Sequence, residues 1–382
     1  GSLTALEVSD ALARIGADYD VDVGGDVTDY TLTTLTRFAS RGAALLADIV
    51  TRPSLLESEF MRVRQMRLDR LRQLKDVASA VAERTFLRLL YGSHPYGHLA
   101  IGTDASLRRV TPDDVVSFHA GSLQPSRATL IVCGAMSHEE LLHEAEEAFG
   151  GWSSVAGDTA GAPPASEVAP GSRAVTTLAV VQRESAAQSE LRIGQLATRR
   201  VTPDYPALLV MNAVLGGQFV SRVNLKLREE KGYTYGARTS FDWRRGISPF
   251  VLQTSVHTAS TADAIADSLS EVAAVRGMRP PTDAEMLLAK ASLTRGYPRG
   301  FETAQQVARS VAVLSMYGLP DSYFEEFVPK VNAVTSAEVV AAASRHLDPA
   351  RLTTLIVGDY SAIADSLRSL NLGEPEQHAA DF

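Results

Sequence analysis

The feature that most limits what this chain can fold into is that it repeats itself. The segment Val110–Val116, VTPDDVV, returns as Val334–Val340, VTSAEVV, at an offset of 334 − 110 = 224. Leu123 and Pro125 return as Leu347 and Pro349 at that offset, and Leu130-Ile131-Val132 return as Leu355-Ile356-Val357 at 355 − 130 = 225. Gly16 and Tyr19 match Gly232 and Tyr235 at 232 − 16 = 216. Matches in one order with small drifts between them predict two copies of one αβ domain, and a chain of 382 residues is already longer than a single core usually supports.

The two copies are unequal. The second opens with strand-like runs at Ala174–Gln182 and Leu191–Leu196 and a helical run at Pro203–Leu215 before reaching Gly232, whereas only the helical Thr4–Ile15 precedes Gly16. Repeat logic therefore expects a full first copy to carry about 45 further residues. Between the copies, Val155–Gly171 is rich in Ala, Gly, Pro and Ser and poor in large apolar groups, as an exposed linker would be. The expected organisation is a first repeat over 1–154, incomplete at its N-terminus, a linker over 155–171 and a second repeat over 172–382. The expected fold class is α+β, each repeat a mostly antiparallel sheet packed with helices.

Local patterning fills in the first repeat. After Thr4–Ile15, the runs Asp18–Val23 and Tyr30–Arg37 flank the turn-rich GGDVTD and predict a hairpin. A helix over Arg41–Thr51 ends at Pro53, and Ser54–Leu90, with apolar positions at threes and fours, predicts one or two long helices. Thr111 caps a helix over Pro112–Ala120, Ala128–Val132 reads as a strand, and Ser137–Phe149 as a helix. The one cysteine, Cys133, rules out intrachain disulfides and multi-cysteine metal centres, and its place in LIVCG predicts a buried thiol.

The most particular stretch is Gly216–Gly236, GGQFVSRVNLKLREEKGYTYG. A Gly-Gly break leads into an amphipathic run with Phe219, Val223, Leu225 and Leu227, and Lys231-Gly232 supplies a basic last turn and a C′ glycine. A strand then leaves with Tyr233 and Tyr235 expected on one face. Arg228 and Tyr235 are thereby held across one helix-to-strand corner. Taken singly, Arg228 could simply complement the helix macrodipole and Tyr235 could be strand core. The matching first-copy corner keeps Tyr19 but has Leu12 where the offset of 216 places Arg228, so the pair belongs to the second copy alone.

Charge and hydropathy exclude some classes. A net charge of −8, from 45 acidic and 37 basic residues with no polybasic run, argues against a nonspecific nucleic-acid binder. No apolar run reaches the ~20 residues of a membrane span. In HEELLH, His138 and His143 sit about 140° apart at about 100° per residue, so a capped surface helix is the better reading than a metal pair. His94 and His98 flank a structural loop, His119 and His346 are ordinary helix residues, and Arg62, Arg64, Arg67, Arg70 and Arg72 form a solvated helix face.

The segment SRVNLKLREEKGYTYG, the opening ALEVSDALARIGA, the HPYG loop after a long helix and the duplicated halves together resemble the pitrilysin/insulinase family of zinc peptidases, in particular its two-domain bacterial branch akin to mitochondrial processing peptidase. In that family an inverted HxxEH motif and a later glutamate hold zinc, the motif glutamate deprotonates the bound water, and the second domain supplies an arginine and, seven residues on, a tyrosine that hold substrate. Arg228 and Tyr235 keep that spacing. HxxEH occurs nowhere in this chain, and the later glutamate falls near Asp69 and Arg70, far from Glu57, Glu59 and Glu83.

The resemblance thus implies a subunit of a zinc metalloendopeptidase assembly, non-catalytic alone, with substrate-binding residues Arg228 and Tyr235 and no catalytic or metal-ligating residue of its own. Zinc would come from an HxxEH-bearing homologous subunit in a heterodimer or homodimer that encloses an extended peptide. Two alternatives stay open: a zinc metallopeptidase in its own right whose HxxEH lies upstream, and a structural or assembly subunit without a proteolytic role. The compartment, bacterial cytoplasm or periplasm, is open as well.

Overall fold

The computed structural model describes residues 3–154 and 178–380, so the expected linker at 155–171 lies outside the described residues. Contacts divide the chain into two compact units. One draws on Gly1–Leu71, Ala100–Pro164 and Gly300–Gly318, the other on Arg72–Leu99, Ala165–Arg299 and Leu319–Phe382.

The first unit contains the hairpin β1 (Asp18–Val23) and β2 (Thr28–Thr33), paired without interruption from Asp18↔Thr33 to Val23↔Thr28. Helix Ala39–Thr51 packs on β2 and on helix His138–Phe149. Capping boxes start the helices where the sequence signals them: Thr111 with Asp114, and Ser137 with Glu140. The long Ser54–Leu90 segment resolves into two helices, Glu57–Lys75 and Ala78–Tyr91.

One expected element is missing. Ala128–Val132 forms no strand among the described residues, and Leu130 and Val132 remain 46% and 47% exposed. An apolar run becomes a strand only when neighbours take up its N–H and C=O groups. Cys133, expected to be buried, is for the same reason only half-buried.

The second unit is built on a six-stranded sheet in the order β5-β6-β4-β7-β3-β8. Its strands are β3 (Leu178–Gln182), β4 (Gln188–Arg199), β5 (Thr234–Phe241), β6 (Ile247–His257), β7 (Thr353–Gly358) and β8 (Glu376–His378). Pairing is antiparallel from β5 through β7 and parallel for β7–β3 and β3–β8. Every residue of β7 is buried, as an unalternating apolar strand covered on both faces must be. Leu208, Met211 and Leu215 of helix Tyr205–Leu215 join Ile193, Phe250, Leu252 and Ile356 in one core. Helix Ala78–Tyr91 lies across β4 and β7.

The repeat has structural counterparts. Thr335 and Glu338 cap helix Ser336–His346 as Thr111 and Asp114 cap Pro112–Ser122, and the short 3₁₀ turns Pro125–Arg127 and Pro349–Arg351 follow both. The hairpin β1–β2 answers to β5–β6. In the second unit β6 continues into β4 and β7; in the first, no described strand continues β2.

Candidate functional site

The corner at Gly216–Gly236 lies wholly in the second unit and contains two departures from regular structure. After Ser221, one α-helical turn, Arg222–Asn224, passes directly into a π-helical turn, Leu225–Glu230. Lys231 N–H reaches back to the Lys226 carbonyl at 3.1 Å, a five-residue step. Gly232, at φ 65°, then reverses the chain, and Tyr233 N–H closes the corner on the Leu227 carbonyl at 2.9 Å. Val223 and Leu227 are fully buried and anchor the turn to the core. Single π turns are rare and are often found at functional sites.

The second departure is in β5. Thr234 faces Val256 but Ala237 faces Thr254, so one extra residue is accommodated at Tyr235-Gly236. The bulge is braced from inside: Thr254 Oγ1 bonds Thr234 Oγ1 and the Gly236 carbonyl, both at 3.0 Å. Tyr233 packs against the core whereas Tyr235 is 86% exposed. The two rings thus differ in exposure, Tyr233 partly buried and Tyr235 in solvent.

Arg228 is held at the surface, over the Phe219 ring with its guanidinium carbon 4.5 Å from the centroid, and 3.3 Å from the Glu229 carboxylate. Phe219 is itself 60% exposed, so this arginine rests on an open aromatic platform and keeps donors available to solvent. β5 is an edge strand, yet two of its outward amides are taken. Ala237 N–H bonds Asn224 Oδ1 at 2.9 Å and Thr239 N–H bonds the Gly216 carbonyl at 3.0 Å. A side chain at Gly216 would put its Cβ 2.6 Å from the Thr239 nitrogen, so only glycine permits that approach.

Behind the corner, the guanidinium of Arg222 is buried and fully engaged. Its Nε and Nη2 grip the Glu285 carboxylate at 2.6 and 2.7 Å, and Nη1 and Nη2 reach the Arg279 and Pro280 carbonyls. That grip holds the Glu285 carboxyl down at about 2. Nearby, burial raises the Glu271 carboxyl even though Arg279 bonds it. A cavity of about 680 Å³ opens between these groups and Lys226. Most of its charges pair with one another, Arg222 with Glu285, Arg279 with Glu271 and Lys226 with Glu230, while Glu229 pairs with Arg228 of the corner.

The other candidates from the sequence are structural. His94 accepts from Tyr96 N–H, and the Tyr96 hydroxyl accepts from Gly246 N–H, which docks the HPYG loop onto the β5–β6 end with Arg244 over both Tyr91 and Tyr96. His119 meets the Val50 carbonyl at 2.8 Å, and His346 meets Asp204 at 2.7 Å. Arg345 holds that Asp204 carboxyl below its usual range. Arg62 pairs with Glu59, and Asp69 accepts from Gln65 along the solvated Glu57–Lys75 helix. Among the described residues, no group of three or more His, Cys, Asp or Glu side chains stands close enough to hold a metal ion, so the donors present do not fit zinc.

Comparison with known proteins finds similarity to one family and to its solved structures. The family model described as "Peptidase M16 inactive domain" matches residues 109–293. An uncharacterised zinc protease of Mycobacterium leprae is 26% identical over 375 residues, covering 97% of this chain and 82% of the relative. The probable beta subunit of mitochondrial-processing peptidase from Schizosaccharomyces pombe is 27% identical over 149 residues, 39% of this chain and 32% of that protein. Among solved structures, the peptidase M16 inactive domain from Pseudomonas fluorescens superposes with a TM-score of 0.86 at 22% identity, covering 94% of this chain and 84% of that one. A protease from Helicobacter pylori gives 0.85 at 18%, covering 94% and 86%.

Proposed function

We propose, from the premise that this chain belongs to the M16 peptidase family, that it binds and positions extended peptide substrate through Arg228 and Tyr235 while zinc is carried by a partner chain. The observation that carries this reading is the corner itself: a π turn and a bulge, two costly irregularities, leave a cation and a phenol at the surface and not in the core. An arginine on an aromatic platform can donate to a peptide carbonyl, and a phenol adds a second donor. Together they suit a ligand that presents main-chain carbonyls.

The test is fluorescence anisotropy with labelled casein, an unfolded polypeptide. Arg228→Ala and Tyr235→Ala are each expected to weaken binding about tenfold, the worth of one hydrogen bond to a charged or phenolic donor. Binding unchanged in both variants contradicts the reading and leaves a structural or assembly role.

A second reading, a zinc peptidase in its own right, is favoured by the mycobacterial relative, which is named a zinc protease and aligns over nearly all of this chain. Stoichiometric zinc in the purified natural protein supports it and overturns the assignment of zinc to a partner.

A further inference from the structure

The two irregularities of the corner are joined by a single side chain. Asn224 is 4% exposed and uses both ends of its amide: Nδ2 donates to the Phe219 carbonyl at 2.7 Å, and Oδ1 accepts from Ala237 N–H at 2.9 Å. A carbonyl can only accept and an N–H can only donate, so these partners fix the orientation of the amide. Phe219 is the platform under Arg228, and Ala237 is the first residue paired beyond the bulge that displays Tyr235. Both bonds lie beside the core, which Val223 and Leu227 on the same turn anchor. An apolar residue at 224 would leave a carbonyl and an edge-strand amide without their present partner.

We infer that Asn224 is the positioning residue of this corner, setting the Arg228 platform and the Tyr235 bulge at a fixed separation for the peptide. By occupying the outward amide of Ala237, and with Gly216 occupying that of Thr239, it also closes this stretch of β5 to strand addition. The bound peptide is accordingly held by side chains here, without adding a strand to β5.

The inference rests on the proposed role of Arg228 and Tyr235, and its test separates the two. Labelled casein is titrated into Asn224→Ala, Arg228→Ala and the pair combined, and hydrogen exchange is followed at the Ala237 amide. Asn224→Ala is expected to weaken binding about tenfold and speed exchange at Ala237, and the losses do not multiply in the combined variant because Asn224 acts through Arg228. If Asn224→Ala does not fold, Asn224→Asp carries the same test: it keeps the acceptor for Ala237 but sets a carboxylate against the Phe219 carbonyl, so binding falls while Ala237 stays protected. Wild-type affinity in the Asn224 variants alongside weakened Arg228→Ala overturns the inference and leaves the reading of Arg228 intact. Losses that multiply overturn it too. Wild-type affinity in Arg228→Ala removes the reading on which the inference stands.

Discussion

The two copies of the repeat use the same corner in opposite ways. In the first, Leu12 is buried in its helix, Tyr19 is half-buried on β1, and burial beside Tyr30 and Asp20 pushes its phenol up to about 12. In the second, Arg228 takes the place of Leu12 and lies over an exposed ring, and Tyr235 takes the place of Tyr19 and stands almost fully in solvent. The glycine that turns each corner is the same in both, with φ of 60° at Gly16 and 65° at Gly232. β1 and β2 pair without a bulge, whereas β5 carries one at Tyr235. One backbone plan thus serves packing in one copy and display in the other. The π turn and the bulge distinguish the second corner, where the arginine and the tyrosine lie at the surface.

The largest effect that separates the copies is in their shared apolar run. Leu355→Ala, in fully buried β7, is expected to destabilise by about 3 kcal/mol, while Leu130→Ala at the matching place costs less than about 0.5 kcal/mol because the side chain is already half in water. Denaturant unfolding of both variants checks this, and equal losses would break the comparison.

Glu285→Gln, which strips the carboxylate from buried Arg222, is expected to cost about 3 kcal/mol. A carboxyl with a lowered folded pKa contributes stability above its unfolded value of 4.5 and loses it as pH falls toward about 2. The wild type should therefore lose stability across that acid window, and the variant should lose less. Parallel acid limbs in the two proteins would show that the Arg222–Glu285 pair does not supply this dependence.

The smallest effect should be shared. Gly16→Ala and Gly232→Ala each force a Cβ into the left-handed region, and neither new Cβ meets an atom within 4 Å, so each should cost about 1 kcal/mol from backbone strain alone. A much larger loss at Gly232 than at Gly16 would mean that the second corner carries strain the first does not.

Much of this was readable in the residues. Thr111, Ser137 and Thr335 each carry their acidic partner three residues on, and all three cap helices. Lys231-Gly232 ends the corner helix, and the offset of 216 matched the Gly16 corner to the Gly232 corner. The bulge was not readable, because it is braced by a partner distant in sequence, Thr254 on Thr234, and the π turn differs from an α turn by one residue in its local bonding, which apolar periodicity does not resolve. Local periodicity therefore gave no sign that Tyr233 would be partly buried and Tyr235 exposed. Ala128–Val132 misled for the complementary reason, since the apolar pattern of a strand says nothing about whether neighbours are there to pair with it. Asn224 gave one faint signal, as a lone amide between the apolar Val223 and Leu225 in a helical run.

The central claim is that the second corner meets peptide and the first does not. It is tested most directly by placing the photo-crosslinker p-benzoylphenylalanine at position 235 and, separately, at position 19, and irradiating each protein with labelled casein. The account predicts strong crosslinking from position 235 and none above background from position 19. Equal crosslinking from both positions, or none from position 235, would contradict it.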